Sequence, residues 1–229
     1  MIHYPVIVFD AGGTLLQLNR EAMAQTYVSH AAKIGIKLDS KNAHAVIEQL
    51  ESEMPIWQQA RKVSLEKDNG REFWDDFYTE GFRRLGVTRD VSTAVTDIRE
   101  RFQRAEFEML FDDVQPTLRE LVAHGKTLGI LSNFSTNLEN ILHHLGVHRY
   151  FKFFVVSAAV GVEKPDPRIF DLTVGAANRP RSEIVYVGDS LFHDVEGAHN
   201  AGLAAILLDR RNRYPDFGGA RVKHLRELV

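Results

Sequence analysis

The chain has 229 residues, a length that suits one large domain or a core domain with a smaller insert. Its composition is 44% hydrophobic and 26% charged, and its net charge of −3 argues against a broad nucleic-acid-binding surface. The absence of cysteine excludes disulfides, thiolate metal sites and cysteine nucleophiles. With no secretory signal pattern and no apolar run long enough for a bilayer, we expect a cytoplasmic protein that binds neither nucleic acid nor membrane.

Five short apolar runs predict strands. The first, Val6 to Phe9, ends at a loop that contains Asp10, Gly12 and Gly13. The other runs lie in the second half of the chain, at 127–131, 153–156, 184–187 and 204–208. Because these runs are continuous rather than alternating, they are typical of strands that are buried on both faces of a sheet.

Helical segments separate the later strands. They are predicted at 116–124, 136–145, 168–177 and 194–201. Two of them follow or begin with proline and three stop at glycine, as helices commonly do. The alternation of strand and helix predicts an α/β fold, a doubly wound parallel sheet with helices on both faces.

The region from about Leu18 to Phe111 has a different pattern, with no convincing strand. Amphipathic helices are predicted at 21–34, 42–60, 71–85 and 91–107, and aromatic residues at helical spacing are expected to pack them together. We therefore predict an α/β core of residues 1–17 and 112–229, interrupted after its first strand by an inserted helical domain of residues 18–111.

Polar residues that could carry chemistry follow several of the predicted strands. Ligands of parallel α/β sheets bind beyond the carboxyl ends of the strands, where these loops would meet. Clustered carboxylates repel one another, and a divalent cation such as Mg²⁺ removes that penalty, whereas a lysine suits a phosphoryl group. The combination predicts a carboxylate nucleophile that acts on phosphorus. The candidates are Asp10, Ser132, Asn133, Lys164, Asp189 and Asp194.

Four segments, in the expected order, resemble the four motifs of the haloacid dehalogenase superfamily of hydrolases. The first is Val-Ile-Val-Phe-Asp-Ala-Gly-Gly-Thr-Leu at 6–15 and the second is Ile-Leu-Ser-Asn at 130–133. The third is Lys-Pro at 164–165, and the fourth is Gly-Asp-Ser-Leu-Phe-His-Asp at 188–194. The resemblance covers nearly the whole chain and implies a Rossmann-like core with residues 18–111 as a helical cap over the site.

The resemblance also implies a role for each residue. Asp10 would attack phosphorus, with Lys164 orienting it and neutralising charge. Magnesium would be held by Asp10, the backbone carbonyl of Gly12 and Asp189, with Asp194 as a ligand or a support. Ser132 and Asn133 would bind the phosphate. Thr14 would belong to the same phosphate-binding group and would support the loop after the first strand.

Gly12 departs from the pattern of phosphatases in this superfamily, which usually carry a second aspartate there. That aspartate protonates the leaving group and then activates water, and general acid–base catalysis is typically worth about 10²–10⁴-fold. Another group could transfer the proton, and His193, Lys62 and Lys67 are the candidates. Alternatively, the substrate could carry a leaving group that needs no strong acid.

Several functions therefore stay open. A phosphatase for a small phosphorylated metabolite is the first hypothesis, and a weak or inactive module that binds phosphorylated ligands is the alternative. Phosphonate hydrolysis and 2-haloacid dehalogenation are further alternatives, although Gly188-Asp189 argues against the latter. The motif-one variant resembles a subgroup related to a rhythmically expressed insect protein. The arginine-rich segment 210–213 is interpreted as a solvated loop.

Overall fold

The computed structural model describes residues 2–58, 61–66, 68 and 70–229 and confirms the α/β fold class. The chain divides into two compact units, Met1–Gln17 with Met109–Val229, and Leu18–Glu108. The domain boundaries predicted above, 1–17 with 112–229 and 18–111, stay a prediction.

A six-stranded sheet in the order β5-β4-β1-β6-β7-β8 forms the first unit, and every neighbouring pair of strands is parallel. All four residues of β1 are buried, and β1 lies between β4 and β6. The carboxyl ends of these three strands therefore lie side by side at one edge. The strands are β1 Val6–Phe9, β4 Thr127–Ser132, β5 Phe151–Val156, β6 Ile184–Gly188, β7 Ala204–Leu208 and β8 Arg221–Val222.

Helices lie in the connections from β1 to β4, β4 to β5, β5 to β6 and β6 to β7, as is usual for crossovers between parallel strands. The helix after the third motif begins with Pro167, and the side chain of Asp166 accepts a hydrogen bond from the Arg168 backbone at its N-terminus. The helices of this unit are α5 Val114–Ala123, α6 Leu138–His144, α7 Ser157–Val160, α8 Pro167–Ala177 and α9 Gly197–Asn200.

One local prediction is wrong, and one predicted helix differs in its form. A short strand, β3 (Glu108–Leu110), lies in the region predicted to lack strands and pairs with β2 (Leu16–Leu18) in a two-stranded sheet. These three-residue strands carry no periodic signal, and they form only because two distant segments meet. The helix predicted at 194–201 is present but begins earlier, with a π-helical segment, Leu191–Glu196, that continues into α9.

The second unit contains the helices α1 Arg20–Lys33, α2 Ser40–Gln58, α3 Arg71–Arg84 and α4 Ser92–Gln103. The end of the predicted second helix, residues 59–60, lies outside the described residues. The fourth helix ends four residues earlier than predicted, and Ala105 nearby has a positive φ of 58°.

The aromatic residues of α3 pack this unit, as predicted. Phe73, Phe77, Tyr78 and Phe82 are buried, and the Phe77 ring meets the ring of Trp57 edge-on at 5.5 Å. Such aromatic pairs add about 0.5–1.5 kcal/mol each beyond the burial of their area. Within the part of the chain that is described, no helix has both the length and the hydropathy needed to cross a bilayer.

Candidate active site

Asp10 lies at the centre of the sheet edge where β1, β4 and β6 end. It directly follows β1, and its backbone N–H donates to the carbonyl of Val187 in β6 at 2.9 Å. Its residue surface is 6% exposed. The strand order therefore places this carboxylate between the second and fourth motifs, which follow β4 and β6.

One oxygen of Asp10 carries all the hydrogen bonds that its carboxylate makes with described residues. Oδ1 accepts from the Ser132 hydroxyl at 3.0 Å and from Lys164 Nζ at 2.8 Å. Both partners are buried, with 1% and 3% of their surface exposed. Oδ2 is thereby left for a ligand or a metal ion.

Lys164 is the buried cation of this cluster. Its ammonium donates to Asp10 Oδ1, to Asp194 Oδ1 at 2.6 Å and to the Tyr186 hydroxyl at 2.7 Å, so each of its three protons has an acceptor. Burial alone would lower the pKa of Lys164, but the two carboxylates hold that pKa above its ordinary value. Lys164 therefore stays charged at neutral pH.

Asn133 connects the second and third motifs. Its side-chain Nδ2 donates to the Lys164 carbonyl at 2.9 Å, and its Oδ1 accepts from the Lys164 backbone N–H at 2.8 Å. This reciprocal pair positions the backbone that carries the lysine, next to a cis peptide bond between Lys164 and Pro165. These contacts engage its side-chain oxygen and one of its two amide protons. The predicted phosphate-binding role of Asn133 stays a prediction.

Three carboxylates converge at the sheet edge. One oxygen from each of Asp10, Asp189 and Asp194 lies within 4.8 Å of the others. Two glycines make this approach possible, since a Cβ at Gly13 would lie 2.7 Å from the Asp189 carboxylate and one at Gly188 would clash with that of Asp194. An all-oxygen set with two carboxylates that retain free oxygens fits a hard cation such as Mg²⁺.

Asp194 differs from the other two carboxylates in how it is held. Its Oδ1 accepts from Lys164 and lies 3.1 Å from the Tyr186 hydroxyl, and its Oδ2 accepts from the Ser190 N–H at 2.9 Å. Both oxygens are therefore engaged, and the residue is 1% exposed. This geometry suits a support for Lys164 and the fourth-motif loop better than a direct metal ligand.

Burial perturbs the pKa values of the other two carboxylates. Burial raises the pKa of Asp10, and Lys164 opposes the shift. For Asp189, burial and then repulsion by Asp194 and Asp10 raise the pKa to about 7, while Arg213 opposes the shift. A divalent cation would reverse both shifts, because it favours the ionised forms.

Thr14 and Gly12 lie in the loop after β1. Thr14 is fully buried, and its hydroxyl has no hydrogen-bond partner among the described residues, so its phosphate-binding role stays a prediction. Gly12 is exposed, and a Cβ built on it meets no atom within 4 Å. The position at which the resemblance implies an acid–base aspartate in phosphatases is therefore open space in this chain.

The candidate replacements for that aspartate are placed as follows. His193 is partly buried, with its Nδ1 3.3 Å from the Ser190 hydroxyl, and burial, followed by repulsion from Lys164, lowers the pKa of its imidazole. Lys62 is exposed in the second unit, and Lys67 lies outside the described residues. For each of them, proton transfer stays a prediction.

Sequence reasoning missed three residues around the site. The Tyr186 hydroxyl accepts from Lys164 and lies 2.9 Å from the Leu131 carbonyl, although its strand reads as a plain apolar run. Arg213 binds Asp189 through a 2.8 Å ion pair. Arg210 forms two 2.9 Å hydrogen bonds with Asp113.

The interpretation of residues 210–213 as a solvated loop is thus wrong for Arg210, whereas Arg213 is exposed as expected but pairs with Asp189. The guanidinium of Arg210 also donates to the Thr14 carbonyl at 3.0 Å and lies 4.0 Å from the centre of the Phe111 ring. A run of arginines gives no signal about which of them finds a carboxylate, because the partners are distant in sequence.

Comparisons with known proteins identify the family of the chain. The family model of haloacid dehalogenase-like hydrolases matches residues 4–202. The chain is 30% identical over 213 residues to haloacid dehalogenase-like hydrolase domain-containing protein 3 of Mus musculus, covering 89% of this chain and 81% of that protein. It is also 38% identical over 107 residues to glyceraldehyde 3-phosphate phosphatase of Methanopyrus kandleri, covering 46% of each.

Among solved structures, the HAD-hydrolase YfnB of Bacillus subtilis, described as bound to magnesium, superimposes with a TM-score of 0.75. It is 19% identical and the alignment covers 99% of this chain and 97% of that one, so it bears on the fold alone. The predicted relation to the subgroup of the rhythmically expressed insect protein stays a prediction. On the family match and the mouse relative together, the chain belongs to the haloacid dehalogenase-like hydrolases.

Proposed function

We propose that this protein is a Mg²⁺-dependent phosphatase that acts in the cytoplasm on a small phosphorylated metabolite, with Asp10 as its nucleophile. The observation that carries the proposal is the buried Asp10–Lys164 pair beside the carboxylates of Asp189 and Asp194. The similarity to a glyceraldehyde 3-phosphate phosphatase over 107 residues supports the same class of reaction.

In the proposed reaction, a carboxylate oxygen of Asp10 forms a bond to phosphorus while the bond from phosphorus to the leaving oxygen breaks. Lys164 offsets negative charge at the reacting group, and the Ser132 hydroxyl, which donates to Asp10 Oδ1, orients the carboxylate. Water then hydrolyses the phosphoaspartate, which releases phosphate and restores Asp10.

Mg²⁺ would be held by Asp10 and Asp189, with the Gly12 carbonyl as a further predicted ligand. When bound, it supplies positive charge that stabilises the phosphoryl oxygens in the transition state. Asp194 would position Lys164 and the Ser190 backbone, through the hydrogen bonds described above.

The missing aspartate at Gly12 bears on the substrate. Without a group that protonates the leaving oxygen, the rate should depend strongly on the leaving group. The ratio of the rate on esters with good leaving groups to the rate on alkyl esters should therefore be larger here than in related phosphatases. We therefore expect activity on p-nitrophenyl phosphate or an acyl phosphate.

Phosphate release from p-nitrophenyl phosphate tests the proposal, with Mg²⁺ present and then removed by EDTA. Chelation and Asp10→Asn should each abolish release, while circular dichroism of the variant stays that of the wild type. Asp171→Asn is a matched control, because this exposed carboxylate on α8 makes an ion pair with Arg181. No release by the wild type across activated esters and a phosphometabolite panel would reject the proposal.

A binding module without turnover is the second candidate, and the open space at Gly12 is the observation that favours it. This candidate predicts saturable binding of Mg²⁺ together with a phosphate analogue such as orthovanadate, without phosphate release. Calorimetric titration of orthovanadate in the presence of Mg²⁺, run beside the phosphatase assay, separates the two functions.

A further inference from the structure

Arg213 reaches the fourth motif from the far end of the chain. Its Nη2 donates to Asp189 Oδ2 at 2.8 Å and to the backbone carbonyl of the same residue at 3.2 Å. One guanidinium nitrogen therefore bridges the side chain and the main chain of Asp189, which restricts the side-chain rotation of that residue. Among the described residues, no other side chain or N–H donates to the Asp189 carboxylate.

The loop that carries Arg213 is itself held in place. Asp209, which is 1% exposed, accepts hydrogen bonds from the backbone N–H of Arg213 at 2.7 Å and of Tyr214 at 2.9 Å. The guanidinium of Arg221 donates to the same carboxylate at 3.2 Å and, at 2.6 Å, to the Tyr214 carbonyl. Charge-assisted hydrogen bonds to a buried carboxylate are among the stronger ones in proteins. They therefore fix the backbone from which the Arg213 side chain extends.

Asp189 is confined on its other side by Gly13. A Cβ at that glycine would lie 2.7 Å from Asp189 Oδ2 and 2.8 Å from Oδ1, so the carboxylate lies directly against the first-motif backbone. With Oδ2 engaged by Arg213, Oδ1 is the oxygen that is free to bind a ligand. Asp189 is thereby oriented by two segments that are about two hundred residues apart in sequence.

We propose that Arg213 is a positioning residue for the divalent-cation site, which holds Asp189 by Oδ2 so that Oδ1 is presented to the metal. This inference rests on the proposed function, because it requires a cation at Asp10 and Asp189. Groups that orient a ligating carboxylate are typically worth about 10–100-fold in metal affinity.

The opposite effect is also physically possible, and it decides the design of the test. The guanidinium is a positive charge near the cation, so it could instead weaken metal binding by repulsion or by competing for Asp189. Lysine keeps the charge but carries it on a flexible stem with rotatable donors, whereas the planar guanidinium fixes the directions of its N–H groups, so lysine separates positioning from charge.

Isothermal titration of Mg²⁺ at pH 8 tests the inference on the full-length protein. Arg213→Ala and Arg213→Lys should each weaken Mg²⁺ binding by about tenfold or more. Arg211→Ala, which removes the same charge two residues away, should stay within about twofold of the wild type. In steady-state assays, the Arg213 variants should need more Mg²⁺ for half-maximal activity but approach wild-type kcat at saturating Mg²⁺.

Three results would overturn the inference. Tighter Mg²⁺ binding by Arg213→Ala would show competition, and wild-type affinity in Arg213→Lys would show that only the charge matters. Unchanged affinity in both would show no role for Arg213. If the wild type itself binds no Mg²⁺, the proposed cation site is rejected as well. If Asp189→Asn loses Mg²⁺ affinity but the Arg213 variants do not, only the inference about Arg213 is rejected. Thermal unfolding in EDTA checks that each variant is folded.

Discussion

Gly12→Asp introduces the second aspartate that the motif resemblance implies two residues after Asp10, the proposed nucleophile. The structure accommodates the change, because a Cβ at Gly12 meets no heavy atom within 4 Å and the residue is exposed, with no positive φ to strain a side chain. The steric cost of the side chain to folding should therefore be within about 0.5 kcal/mol, as for ordinary surface substitutions.

The expected effect on catalysis is large. A positioned general acid is worth about 10²–10⁴-fold, which corresponds to about 2.7–5.5 kcal/mol of the activation barrier. The gain should be greatest for an alkyl phosphate, whose alkoxide leaving group needs a proton, and smallest for p-nitrophenyl phosphate. A new carboxylate beside Asp10 would also have its pKa raised by repulsion, which favours a group that donates a proton near neutral pH.

The assay compares kcat of Gly12→Asp, Gly12→Asn and the wild type on glycerol phosphate and p-nitrophenyl phosphate at saturating Mg²⁺. Asparagine has nearly the same shape but cannot transfer a proton, so it should give no gain. Equal rates for the aspartate and asparagine variants on the alkyl ester would refute the reasoning that only this one group is missing.

The remaining predictions concern the carboxylate cluster. Lys164→Met leaves two buried carboxylates unpaired and should lower the free energy of unfolding by about 3–5 kcal/mol in urea denaturation, whereas the exposed Lys152→Met should change it by less than about 0.5 kcal/mol. Because the pKa of Asp189 is raised to about 7 and Mg²⁺ needs the ionised carboxylate, calorimetric Mg²⁺ affinity should fall by about tenfold per pH unit below pH 7 and level off above it. An affinity that is the same at pH 5.5 and pH 8 would contradict this. Gly13→Ala, with φ of +78° and its Cβ against Asp189, should lose Mg²⁺ binding, whereas Gly12→Ala should keep it; equal affinities would show that Gly13 does not position Asp189.

Much of the fold could be predicted from local pattern. The runs Val6–Phe9 and Ala204–Leu208 are strands at the predicted residues, because a strand buried on both faces must be apolar throughout. The order of the loops after the strands also predicted that Asp10, Lys164, Asp189 and Asp194 lie close together, since parallel strands end at one edge. That cluster is what the structure contains.

Other features depend on tertiary contacts that leave no local trace. Strands β2 and β3 are three residues each and form through pairing between distant segments. Tyr186 has the pattern of a core residue, yet its hydroxyl lies within hydrogen-bonding distance of Lys164, Asp194 and the Leu131 carbonyl.

Which carboxylate oxygens are engaged by hydrogen bonds likewise depends on the folded chain. Asp189 and Asp194 are both aspartates of the fourth motif, and the sequence does not distinguish their hydrogen bonds. In the structure, Lys164 and Ser190 engage both oxygens of Asp194. Arg213 engages one oxygen of Asp189. The sequence by itself determined which residue types meet at the sheet edge, through the order of strands and loops. Only the tertiary structure decided which oxygens stay free, because hydrogen-bond partners are chosen by distance in space and not by distance along the chain.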